Sequence, residues 1–237
     1  MKVKHKNDLL LELKKILSRP LSLGEIKRKI SDAYIKNLAH NLKLLAKGGD
    51  IVKIRGGRYG FADDMNLVVG TVQGHPDGYG FVIPEDPKED KDVFIGHKNF
   101  GTVMHGDRVV CRVEKADAEG RLEGNVIRIL QRAHETLTGV FESRGRGGIV
   151  VPTQKRITHT FRIPPGKTAR AKGGQIVVAR ITAYPEKLQT PAAEIVELLG
   201  YPTDPQVERK IIMRQYELPE SFPPAVENAA RKIKEPA

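Results

Sequence analysis

Leu9, Leu10, Leu13, Ile16 and Leu17 recur at helical spacing in NDLLLELKKIL, residues 7–17, and the pattern stops before Pro20. Ser22 to Glu25 (SLGE) has the spacing of a capping box, opening a short helix through Ile26 and Ile30, and Ser31 is placed to cap a third. That third helix is expected from Asp32 to Lys47. It would bury Ile35, Leu38, Leu42 and Leu45 on one face and turn Lys36, His40, Lys43 and Lys47 mostly away from it. Gly48 and Gly49 end the run, and DIVKI and RYGF then flank Arg55-Gly56-Gly57-Arg58, the pattern of a hairpin with a glycine turn. Three helices followed by a basic hairpin predict a winged helix.

From Leu67 the period changes to that of short strands: LVVGTVQG, YGFVIP, DVFIG, DRVVCRVEK and GNVIRIL. Five such runs suggest a small barrel. The order then repeats at an offset of about 68 residues. Gly70 with Thr-Val matches Gly139 with Val-Phe, Phe81-Val-Ile-Pro84 matches Ile149-Val-Val-Pro152, and Gly106 to Val113 matches Gly174 to Ile181. Asn125 to Leu130 matches the segment from Ala193, with Ile195, Val196, Leu198 and Leu199. A fixed period of this kind signals duplication of one structural unit. The tail from Thr203 has a helical pattern in two pieces around Pro219 and Pro223-Pro224, with Ile211, Ile212, Met213, Tyr216, Phe222, Val226 and Ile233 apolar. It is too sparse for a core of its own. It either packs back on the barrels or leads into a further domain.

Charge sharpens this picture. The formal net charge is +11, and 15 basic against 5 acidic residues fall in 1–62, whereas 63–133 hold 9 against 13. A polyanion partner is therefore expected of the N-terminal quarter. No apolar run is long enough to span a bilayer, the start MKVKHKNDLL lacks a signal-peptide hydrophobic region, and the single Cys111 cannot form an internal disulfide. Cytoplasmic residence without membrane association is expected.

The candidate chemistry centres on DGYGFVI. A strand period of two puts Tyr79 and Phe81 on one face, and Phe94 follows in a neighbouring strand. Such rings either stack unpaired bases or fill the barrel interior. The basic residues Lys36, His40, Lys43, Lys53, Arg55 and Arg58 of the winged-helix segment suit duplex DNA, structured RNA or a diffuse counterion cloud. Arg144 and Arg146 in RGRGG, with Lys155 and Arg156, can grip phosphates or form solvated turns. Asp86, Asp90 and Asp92 read as an exposed acidic loop, since they lack the glycine and terminal glutamate of a calcium loop. Gly166-Lys167-Thr168 has Phe161 where a phosphate-binding loop needs glycine, and Cys111, between valines, reads as a small buried residue.

GYGFVI followed by DVFIGHKNF resembles the paired RNA-binding motifs of the cold-shock domain. A basic winged helix, GTVQGHPDGYGFVIPED, DVFI, HGDRVV, GNVIRIL, a second barrel ending AAEIVELLG, and RQYELPESFPPAVENAA stand here in one order. That order is similar to the N-terminal portion of bacterial ribonuclease R-type 3'-to-5' exoribonucleases of the RNB family. The resemblance implies an α+β multidomain fold. Its parts are a winged helix-turn-helix (1–65), two tandem OB-fold cold-shock β-barrels (66–133 and 134–201) and a helical start of the catalytic RNB domain (202–237).

It further implies single-stranded and structured RNA as partners, with base stacking on Tyr79, Phe81 and Phe94, Lys98 beside them, and no catalytic residue or cofactor in this chain. Mg2+ belongs to the catalytic domain. The family's histidine two positions after its ring is Gly96 here, so stacking is not carried over to His97. The second barrel has Ile149 and Val151 at the ring positions. Lacking dimerisation heptads, the chain is expected to be a monomer. A winged-helix DNA-binding regulator and a non-enzymatic RNA-binding adaptor are the alternatives.

Overall fold

The computed structural model describes residues 3–62, 65–87, 91–116, 119–186, 189–215, 218, 226 and 228. They divide into two compact units, residues 1–134 with 156–158, and 135–155 with 159–237.

The first unit opens with α1 (Val3–Ile16), followed by β1 (Leu21–Ser22) and α2 (Leu23–Lys29). Leu9, Leu13 and Leu17 are four apart, so they share one face of α1 and its end and are fully buried with Leu21, Ile26, Leu38, Leu42 and Leu45. The capping box forms: the Ser22 hydroxyl accepts from the Glu25 N–H, and the Glu25 carboxylate accepts from the Ser22 N–H at 2.8 Å. Those bonds hold the Glu25 carboxyl below its ordinary pKa.

The expected helix from Asp32 to Lys47 is broken. Asn37 takes a left-handed backbone, φ 67°, so Asp32–Tyr34 is one 3-10 turn and α3 runs only Leu38–Gly48. Asparagine tolerates that conformation far better than most residues with a side chain. Ile35 consequently lies outside the core and exposed, and the Ser31 side chain caps nothing. After α3, β2 (Val52–Lys53) and β3 (Arg58–Gly60) form the expected hairpin, and β1 pairs with β3 through Leu21 and Tyr59. The sheet order is β1-β3-β2.

Next come β4 (Leu67–Gly74), β5 (Gly80–Pro84), β6 (Val93–Ile95), the short helix α4 (His97–Phe100), β7 (Arg108–Ala116) and β8 (Leu122–Gln131). They close a barrel in the order β4-β5-β6-β8-β7, with β6 and β8 parallel and the other pairs antiparallel. Val72, Val82, Val93, Ile95, Val109 and Cys111 point inward at alternate positions to form its core, with Phe100 of α4 as a plug. The helical region sits on this barrel. Val52 packs with Leu67 and Val110, Arg108 donates to the Gly48 carbonyl at 2.6 Å, and Arg128 donates to the Lys53 carbonyl at 2.6 Å.

The second unit repeats the barrel with β9 (Thr136–Arg144), β10 (Gly147–Pro152), β11 (Phe161–Ile163), β12 (Ile176–Ala183) and β13 (Ala192–Gly200), in the order β10-β11-β13-β12-β9. The duplication extends to single bonds. Gly70 pairs with Pro84 as Gly139 pairs with Pro152. Gly106 N–H donates to the Val72 carbonyl at 2.7 Å, and Gly174 N–H to the Phe141 carbonyl at 2.8 Å. In the same turns the Met104 N–H donates to the Asp107 carboxylate, and the Lys172 N–H to the Gln175 side-chain oxygen. The tail folds back: α5 (Pro205–Gln215) buries Val207 against Ile176, Val178 and Leu199, and Arg214 pairs with both Glu197 oxygens at 2.7 and 2.9 Å. Tyr216, Phe222 and Ile233 fall outside the described residues, and Val226 is exposed.

Candidate nucleic-acid interface

The β4–β5 hairpin builds the centre of the site. Gln73 faces Phe81 and Gly74 faces Gly80 across it. One step further out, the His75 N–H donates to the Tyr79 carbonyl at 2.8 Å, and the Gly78 N–H to the His75 carbonyl at 3.0 Å. Tyr79 thus stands just ahead of β5, held by the turn rather than in the strand. Phe81 pairs directly with Phe94 of β6.

Strand alternation sends Gly80, Val82, Val93 and Ile95 into the barrel and leaves Tyr79, Phe81 and Phe94 half-buried on its outer wall. The interior-filling alternative therefore does not hold for these rings. Their centroids are mutually close: Tyr79 to Phe81 6.0 Å, Tyr79 to Phe94 5.6 Å and Phe81 to Phe94 5.7 Å, all tilted or edge-to-face. A cleft of about 900 Å3 opens beside them, rimmed by Lys91, Asp92, Lys115, Glu119, Arg121 and Glu123.

Two further rings join this cluster. His75 stacks flat on Tyr79, 4.3 Å between centroids and 11° between planes. His97 meets Tyr79 edge-on at 5.9 Å. Strand alternation alone turns His97 away from Phe94, but β6 ends at Ile95 and α4 begins at His97, and this change of element swings the imidazole back to the rings. The sequence signal for His75 was the turn itself: a hairpin closing through Pro76, Asp77 and Gly78 sets the residue before it opposite the residue after it.

The charged candidates are spread out. Lys98 is exposed on α4. His40, Lys43 and Lys47 form one exposed face of α3 at i, i+3 and i+7, with Lys36 exposed in the turn before it. Lys53 and Arg58 are exposed in the hairpin, with the Lys53 ammonium 5.6 Å from the Tyr59 ring centre, and the Arg55 side chain lies outside the described residues. Arg144 and Arg146 occupy the β9–β10 tip, where Arg144 lies 3.2 Å from Glu142. Lys155 and Arg156 come after the opposite end of β10, Lys155 in the second unit and Arg156 in the first. Ile149 and Val151 are half-buried in β10.

Among the described residues no three His, Cys, Asp or Glu side chains stand close enough to hold a metal. Asp86 and Asp92 are exposed, and Asp90 is outside the described residues. Cys111 is buried, and desolvation pushes its thiol up to about 12, so it is not a nucleophile at neutral pH.

Comparison with known proteins places this geometry. Residues 70–129 match the ribonuclease B OB domain, and residues 149–223 match the cold shock domain family CSD2. Ribonuclease R of Acidithiobacillus ferrooxidans is 36% identical over 88% of this chain, and those of Thermotoga maritima and Escherichia coli are 32% and 31% identical over 91% and 86%. The chain is similar to ribonuclease R over most of its own length. It spans about half the length of the Acidithiobacillus ribonuclease R (48%), 30% of the Thermotoga protein and 25% of the Escherichia protein.

Among solved structures, the fold is similar to the apo form of Mycoplasma genitalium RNase R, with a TM-score of 0.61 and 20% identity over 70% of this chain and 27% of that one. The yeast pseudonuclease Ssd1 gives 0.55 and 15%, over 69% of this chain and 27% of that one. A structure of the Mycoplasma RNase R in complex with ribose-methylated single-stranded RNA gives 0.59 and 19%, over 71% and 27%. No described helix is long and apolar enough to cross a membrane.

Proposed function

We propose that this chain is the RNA-capturing part of a ribonuclease R-type 3'-to-5' exoribonuclease, binding RNA and delivering it to a catalytic domain. The observation that carries the reading is the cluster of Tyr79, Phe81 and Phe94 on the outer wall of the first barrel, in a chain related to ribonuclease R across most of its length. Half-buried rings on an outer wall take successive unpaired bases without demanding a sequence, as a processive enzyme requires.

In this reading residues 1–65 are a winged helix. The helices, the β1-β3-β2 sheet and the basic hairpin support it, and the exposed cations of α3 and the hairpin hold structured RNA by its phosphates. Residues 66–133 and 134–201 are the two OB-fold cold-shock domains. The second barrel, without exposed rings at Ile149 and Val151, guides the backbone through Arg144, Arg146, Lys155 and Arg156. Residues 202–237 connect to the catalytic domain, where Mg2+ would be held and the RNA cleaved. The protein works in the cytoplasm.

The test is fluorescence-anisotropy titration of a single-stranded RNA in a salt series, wild type against Tyr79→Ala/Phe81→Ala, with circular dichroism to verify folding. Loss of about 1–3 kcal/mol per stacked base at an unchanged salt slope supports the reading. Equal affinity and slope in both proteins would overturn the stacking role.

A further inference from the structure

Tyr79 does not offer both of its faces to a ligand. One is already covered by His75, whose ring lies 11° from parallel at 4.3 Å, while His97, Phe81 and Phe94 surround the rest of Tyr79 edge-on or tilted. A base approaching along that face meets the imidazole instead. The His75 side chain is 43% exposed, and among the described residues no other ring packs against it.

Its orientation is fixed from below. The backbone N–H of Asp77 donates to His75 Nδ1 at 3.3 Å, and the Asp77 carboxylate lies 3.3 Å from the same nitrogen. Both contacts converge on Nδ1 and hold the ring in this orientation. The backbone bond from the His75 N–H to the Tyr79 carbonyl sets the two residues opposite each other.

We propose that His75 is a nucleobase-binding residue, the outermost step of the aromatic stack, which holds one unpaired base on the ring face turned away from Tyr79. This rests on the RNA-binding reading above and extends it. The platform then runs base, His75, Tyr79 and on toward Phe81 and Phe94, so the base that would otherwise meet that face of Tyr79 sits one ring further out. Flat stacking at this spacing matches the separation at which aromatic faces attract, and an imidazole stacks on any base without reading its edges.

The chain contains no tryptophan, so His75→Trp places a single indole at the proposed contact. Excitation selective for tryptophan, during titration with oligo(U) and oligo(A) of increasing length, reads stacking directly. Saturable quenching of the indole, parallel to the anisotropy change, is the expected result. In His75→Ala the affinity should fall about 5- to 100-fold for long oligonucleotides. His75→Phe should restore the affinity. Binding with unchanged indole emission, or an unchanged affinity in the folded His75→Ala protein, overturns the role of His75 while leaving the RNA reading intact. Absence of any RNA binding by the wild-type chain overturns both.

Discussion

Arg108 holds Glu85 with two nitrogens of its guanidinium, at 2.6 and 2.7 Å, and donates the third to the carbonyl of Gly48. One side chain of β7 thereby ties the loop after β5 and the C-terminus of α3 to the same point. The Gly48 carbonyl sits at the negative end of the α3 dipole, so a cation there is favoured twice. Arg108→Ala should loosen the helical region from the first barrel. Because both partners are partly exposed, the loss should be about 1–2 kcal/mol rather than that of a buried pair. Hydrogen exchange should show faster opening of α3 with little change in the second unit, and uniform exchange across both units would remove this role.

Asp107 is the buried polar anchor of the first barrel. Its carboxylate accepts from the Met104 N–H at 2.9 Å, the Ala133 N–H at 3.1 Å and Arg132 at 2.8 Å. Gln175 fills the equivalent place in the second barrel with one bond, from the Lys172 N–H. Asp107→Ala should cost roughly 2–4 kcal/mol, since donors around a desolvated site lose a charged acceptor, and Gln175→Ala only about 1 kcal/mol. Urea unfolding of the two variants should separate them in that order. Equal losses would mean that the turns, not the side chains, carry the stability.

Gly70 and Gly139 occupy equivalent crowded points. A Cβ at Gly70 would stand 2.2 Å from the Ile83 carbonyl oxygen, and at Gly139 2.4 Å from that of Val151. Both obstacles are backbone in a paired strand and cannot rotate away. Gly70→Ala and Gly139→Ala should each destabilise by about 3 kcal/mol, the upper range for overpacking. A thermal midpoint within a degree of wild type in either variant would refute the close approach.

This matched pair also shows why the duplication was legible. A glycine forced by backbone contact, an inward valine every second residue and a Gly-Asp or Gly-Gln turn recur at the same offset because the same barrel demands them. That Tyr79 and Phe81 share one face followed from the strand period, although the period alone could not say which face was inside. What escaped were handovers between elements. The break at Asn37 depends on a backbone conformation that asparagine permits but does not require. The return of His97 depends on β6 stopping after Val93, Phe94 and Ile95, and the stacking of His75 on the turn closing tightly.

The exposed face of His40, Lys43 and Lys47 leads to an expectation about salt rather than sequence. Each phosphate contact releases about one counterion, so Lys43→Ala/Lys47→Ala should reduce the slope of log affinity against log salt by roughly 1–2. It should do so equally for RNAs of different sequence. The ring variants should shift affinity at constant slope, and a double-lysine variant with the wild-type slope would show that α3 does not touch the backbone of the RNA.

His105 makes stability depend on pH. Burial, followed by the charges of Arg156 and His134, depresses its pKa below the ordinary 6.5, and its Nδ1 accepts the Gly74 N–H at 3.3 Å, a bond only the unprotonated nitrogen can make. The unfolded chain takes up this proton more readily than the folded one, so unfolding is favoured as acid is added. The contribution is therefore complete above about 6.5 and lost as pH falls through that value toward the depressed folded one. Urea midpoints at intervals from about pH 8 to 5 should decline in the wild type and stay flatter in His105→Asn, whose amide oxygen can accept the same bond. Parallel declines in the two proteins would assign the acid sensitivity to other groups.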